Sequence, residues 1–137
     1  MKKNAAAFLG AIAVAGLLLT GCAGGAQSKA DACKVIESEV TDSAAKLQSG
    51  LSSLSSDPEG AVTQLDDFAD TFEAAAGKVT NKEVKDSADA SVDALQAFIE
   101  QARTAVSDPA TADQAALTDS LSKLQSEFTD LGTTCSL

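Results

Sequence analysis

No histidine, tyrosine or tryptophan occurs anywhere in the 137 residues, and the lone methionine is Met1. Without an imidazole there is no usual base to activate a serine nucleophile, and neither a histidine-bearing metal centre nor a histidine- or tyrosine-ligated haem can be assembled. Paired carboxylates for glycoside hydrolysis are plentiful, but a sugar cleft also uses aromatic platforms. The only aromatics are five phenylalanines, of which Phe68, Phe72, Phe98 and Phe128 sit at core-facing positions of the helical patterns described below. These absences point away from an enzyme and imply neither cofactor nor metal. Positive charge is scarce too, with 10 Lys and Arg against 20 Asp and Glu. That balance disfavours nucleic acid as a partner, and adhesion of the domain itself to anionic lipid, because both need positive charge. Alternating apolar runs of the kind strands require are missing as well.

What is present begins with a leader. Met1-Lys2-Lys3 gives a basic start, Ala5 to Leu19 an apolar run of 15 residues, and Leu19-Thr20-Gly21-Cys22 a small-residue ending. This is the three-part layout of a secretory signal peptide, and the run is shorter than the roughly 20 residues of a spanning helix. The quartet Leu19-Thr20-Gly21-Cys22 resembles the lipobox of bacterial lipoproteins. The resemblance implies cleavage between Gly21 and Cys22, diacylglyceryl and palmitate-type acylation at Cys22, and a mature chain held by lipid on the outer face of the cell membrane. No Arg-Arg pair precedes the apolar run, which favours general secretion over the twin-arginine route. The alanine-, aspartate- and serine-rich body is similar to small helical lipoproteins of actinobacteria. The expected organisation is a cleaved signal peptide over 1–21, a lipid anchor and flexible tether over 22–30, and one helical domain over 31–137.

Four helical patterns follow the tether. In the first, Cys33, Ile36, Val40, Ala44, Leu47, Leu51 and Leu54 recur at steps of three and four, one narrow stripe at 100° per residue. The second, from Val62 through Phe68, Ala69 and Phe72 to Val79, is broader and suggests two neighbours. The third runs from Val84 through Ser91, Leu95, Phe98 and Ile99 to Val106. The fourth, Leu117, Leu121, Leu124, Phe128 and Leu131, has the spacing of helices packed nearly parallel or antiparallel. Asp57-Pro58 and Asp108-Pro109 each place an N-cap acceptor ahead of a proline at the first helical position. Thr80 with Glu83, and Thr111 with Gln114, have capping-box spacing, and Gly77 and Gly132 fall where C-terminal caps are wanted. The expected fold is therefore all-α, an antiparallel up-down-up-down four-helix bundle.

Beyond the lipid cysteine only Cys33 and Cys135 remain, and export would place both in an oxidising compartment, where a disulfide is the default. In an even-numbered antiparallel bundle the first helix begins at the end where the last one finishes, so the two thiols can meet. The recurrence of Ser-Asp-Pro at Ser56-Asp57-Pro58 and Ser107-Asp108-Pro109 hints at a duplicated hairpin and puts both turns at the far end. Ten residues, Ala23 to Ala32, separate Cys22 from Cys33, so the cysteine end must stay within roughly 40 Å of the bilayer.

Asp66, Asp70 and Glu73 share one face of the second helix with no lysine at matching spacing, and read as a solvated acidic face. Lys82 with Asp86 and Lys85 with Asp89 read as exposed i,i+4 pairs. The first function these features suggest is a non-catalytic interaction module recruiting an envelope protein through an acidic face or the distal turns. The alternative is a carrier of a small apolar ligand, lipid-like or haem-like, in a bundle pocket lined by Phe68, Phe72, Leu95 and Phe98. In having one cysteine near each end of a helical domain the chain resembles some exported mycobacterial haem-binding proteins, but it lacks a histidine or tyrosine to hold iron.

Metabolic labelling with a fatty acid should mark the wild-type protein and leave Cys22→Ser unmarked and absent from the membrane fraction. Label that survives the substitution would refute the lipobox reading.

Overall fold

A computed structural model describes residues 27–52 and 55–136. The leader and Cys22 lie outside these residues, as does Leu54. The described chain is four helices, α1 (Lys29–Leu51), α2 (Pro58–Gly77), α3 (Lys82–Ser107) and α4 (Gln114–Cys135), with no strand among the described residues. The architecture is the expected up-down-up-down bundle, and Cys33 in the second turn of α1 is bonded to Cys135 at the end of α4, with Cα atoms 5.7 Å apart.

Local chemistry sets each helix start. The Ser28 hydroxyl accepts from the Asp31 amide at 3.1 Å and donates to the Asp31 carboxylate at 2.6 Å, satisfying an orphan donor of the first turn. Asp57 accepts from the Gly60 amide at 2.9 Å with Pro58 at the first helical position, as expected. Four other terminal expectations are corrected. The N-cap of α3 is Asn81, whose side chain accepts from the Val84 amide at 3.2 Å, because Thr80 is occupied elsewhere by Gln27. Asp108-Pro109 does not start α4; Asp108 closes α3 through its amide on the Thr104 carbonyl, and its own carbonyl accepts from the Thr111 amide in a turn. Pro109, following Asp108, suits the second position of that turn. Helix α4 begins instead where Asp113 can accept from two amides, those of Ala115 and Ala116, at 2.9 and 3.0 Å, which displaces the Thr111–Gln114 box. The two Ser-Asp-Pro motifs thus play different parts. Nor do the glycines cap: Gly77 is the last residue of α2, Gly132 lies within α4, and no described glycine has a positive φ.

The core belongs mainly to the middle helices. Phe72, Val84, Ala88, Leu95 and Ile99 are almost fully buried, whereas among the described residues α1 contributes only Ala32 and Ile36 to the buried apolar core and α4 only Leu131. Ser91, fully buried on α3, turns its hydroxyl toward the Ser87 carbonyl at 2.9 Å and, across the interface, the Glu127 carbonyl of α4 at 3.1 Å. Such small side chains let α3 and α4 approach closely. Neighbours in sequence pack along their length, α1 on α2, α2 on α3 and α3 on α4, but α1 and α4 come close at only a few positions, the disulfide among them. The outer stripes are correspondingly undercovered. Ala44 is exposed, and Leu121, in the most regular apolar spacing of the chain, is 40% exposed.

Because the α1/α4 seam relies on a covalent bond that spans 102 residues of chain, its removal should be felt strongly. Cys33→Ser should lower stability by up to roughly 4–5 kcal/mol on chain-entropy reasoning, read as a fall in the thermal midpoint. Equal melting of variant and parent would show that packing alone holds the seam.

Candidate functional site

The incomplete closure between α1 and α4 leaves an apolar groove directly behind the disulfide, about 370 Å³ in volume. Helix α1 supplies Cys33, Ile36, Glu37 and Val40, α2 supplies Phe68 and Phe72, and α4 supplies Phe128, Leu131, Gly132 and Cys135. Phe68 and Phe72 are one helical turn apart on α2 and so face the same way. Their ring centroids are 6.1 Å apart, and Phe72 stacks on Phe128 of α4 at 5.4 Å, within the range where aromatic pairs gain beyond their buried area. Three stacked rings therefore floor the groove, with Phe72 only 1% exposed. Glu37 is the sole ionisable group on its walls.

The four residues nominated from sequence separate into two sets. Phe68 and Phe72 line the groove. Leu95 is 2% exposed and lies in the contiguous core rather than on a cavity wall, and Phe98 is half-buried and outside that core. Leu95 and Phe98 thus lie away from the groove: α3 packs chiefly on α2 and α4, and the open side of the bundle lies between α1 and α4. Phe128, missed as a wall residue, was visible in the regular spacing of α4. What was hidden is that it reaches diagonally to α2.

A larger cleft, about 580 Å³, lies between α1 and α2, but its lining of Ser43, Lys46, Ser49, Gln64, Asp67, Asp70 and Thr71 is polar, with Phe68 the one apolar member. Its charged groups are exposed to solvent, so it lacks the desolvated interior that gives a small-molecule site its grip.

The acidic face of α2 is less bare than its own helix suggests. Arg103 of α3 donates to both carboxylate oxygens of Asp66 at 2.7 and 2.6 Å, and the Gln96 amide donates to Glu73 at 3.1 Å. Arg103 and Asp66 are 59% and 40% exposed, so the pair contributes at most about 1 kcal/mol. The pairs Lys82–Asp86 and Lys85–Asp89 form as expected. Among the described residues no cluster of three or more acidic, cysteine or histidine side chains is arranged to hold a metal ion, and no helix is long and apolar enough to cross a membrane.

The chain matches no protein-family model, no curated protein and no solved structure.

Gly132 is the wall residue that local preference does not explain. It sits in α4 without positive φ, and a Cβ placed on it would meet nothing within 4 Å. Gly132→Ala should therefore raise stability by about 0.5–1 kcal/mol, the helix-propensity difference, measured by urea unfolding. A loss of stability would show that the space beside α4 is closed.

Proposed function

We propose that this chain is a lipid-anchored, non-catalytic binding module on the outer face of a bacterial cytoplasmic membrane, and that the α1/α4 groove is its binding surface. The observation that carries the reading is the groove itself. Phe68 and Phe72 are buried and Phe128 is half-buried, and the three stacked rings together line an open apolar trough whose volume falls within the range of small-ligand sites. The sequence features of the leader, Lys2-Lys3, the apolar run and the lipobox ending in Cys22, support export and anchoring.

The groove favours an apolar ligand. A haem-like ligand would find no iron ligand there, because the wall cysteines Cys33 and Cys135 are bonded to each other and no histidine or tyrosine exists in the chain. Recruitment of an envelope protein through acidic residues is the second reading, supported by exposed Asp57 and Asp108 at the distal turns. The α2 face supports it less, since Asp66 and Glu73 are engaged by α3.

Native mass spectrometry of the protein released gently from its own membranes, with the lipid on Cys22 accounted for, separates the two. A small-molecule adduct that departs on unfolding is the expected result. A bare chain, or a co-released protein, would overturn the ligand reading in favour of the interaction module.

A further inference from the structure

We infer that the occupant of the α1/α4 groove is an acyl chain of a bilayer lipid with an uncharged or zwitterionic head, taken up at the membrane-proximal end of the bundle. The inference deepens the binding-module reading and rests on the anchor at Cys22.

Position is the first argument. Gln27 is fastened to the α2–α3 turn by three hydrogen bonds: its amide donates to the Thr80 hydroxyl at 2.9 Å, its side-chain oxygen accepts from the Thr80 amide at 2.9 Å, and its carbonyl accepts from the Asn81 side chain at 3.1 Å. Lys29 adds an ion pair to Glu83 at 2.7 Å. The chain is therefore fastened from Gln27, short of residue 30 where the tether was expected to end, and only Ala23 to Ala26 separate the clasp from Cys22. Extended chain covers at most about 3.5 Å per residue, so the clasp stays within roughly 18 Å of the lipidated residue. From there α1 rises about 1.5 Å per residue, which puts the near rim of the groove, at Cys33, only about 9 Å further on. Of all the apolar molecules available to the domain, bilayer lipids are the nearest.

Chemistry is the second. The trough is floored by rings and offers no donor array for a polar ligand, which suits a hydrocarbon chain. Its one ionisable wall group is Glu37, in a described domain with 20 acidic residues against 8 basic ones. A free fatty acid would bring its carboxylate into that field, whereas a zwitterionic or neutral head would not. Gly132 is the third: it lines the trough from within α4, brings no side chain of its own into it, and a Cβ there would meet no atom within 4 Å.

The test uses the full lipidated protein reconstituted in phosphatidylcholine vesicles doped with phosphatidylcholine carrying a diazirine on its acyl chain, so that bilayer lipids carry the probe and the protein's own anchor does not. Irradiation and peptide mapping should place adducts on Val40, Phe68, Phe72 and Phe128. Gly132→Trp, which fills the trough, should lose them while still unfolding cooperatively, and Ala44→Trp, on the exposed side of α1, should keep them. If the tryptophan variant does not fold, Gly132→Leu takes its place. Adducts confined to the tether would overturn the inference and leave the anchor standing, as would groove adducts that Gly132→Trp does not reduce. If the protein isolated from its own host carries no lipid on Cys22 and does not pellet with the vesicles, the anchor and this inference fall together.

Discussion

The Cys33–Cys135 bond is the constraint on which the rest of the bundle depends. Three of the four seams of this bundle are closed by side-chain packing, with α2 and α3 supplying nearly all of the fully buried apolar residues. The fourth, between α1 and α4, is closed by sulfur at one end and opens beyond it. A small helical domain gains its stability from burial, so leaving one seam open forfeits some of that gain. A covalent link offsets the loss by restricting the unfolded chain, and it does so without occupying the seam. The bond therefore permits what packing alone would tend to eliminate, an apolar trough that stays open in a domain of about a hundred residues.

Electrostatics follows the same division of labour. On the packed seams acidic residues find partners across helices, Asp66 with Arg103 and Glu73 with Gln96 between α2 and α3, and Glu39 of α1 with Lys78 just after α2. The walls of the open seam carry Glu37 alone. The surplus negative charge is thus spread over the outside of the bundle, where it is hydrated and screened, and the trough is left nearly free of charge.

The fold was legible in the sequence because its determinants are local. Apolar residues at steps of three and four fixed the four helices, and Asp57-Pro58 marked a start that the structure reproduces. The disulfide followed from two cysteines and an even helix count. What could not be read depends on which elements meet. The stripe of α4, the most regular of the four, reports amphipathicity and not coverage: Leu121 is 40% exposed and only Leu131 is buried. Leu95 and Phe72 look equivalent as core positions along the chain and are equally buried, yet only Phe72 borders the trough, since only the assembled bundle says which seam is incomplete. Arg103 was unread for the same reason, its partner being 37 residues away on another helix. Asp108-Pro109 failed for a different one, since the same tripeptide can end a helix or begin one, and Asp113 offered the better cap.

A bond joining Cys33 to Cys135 also makes the domain a covalent ring that takes in almost all of its folded residues. A protease that cuts once at an exposed turn, between α1 and α2 or between α3 and α4, opens the ring without dividing the molecule. The pieces remain joined by sulfur and by their buried faces. For a bundle closed in this way, a single nick is a scar and not a loss of half the molecule.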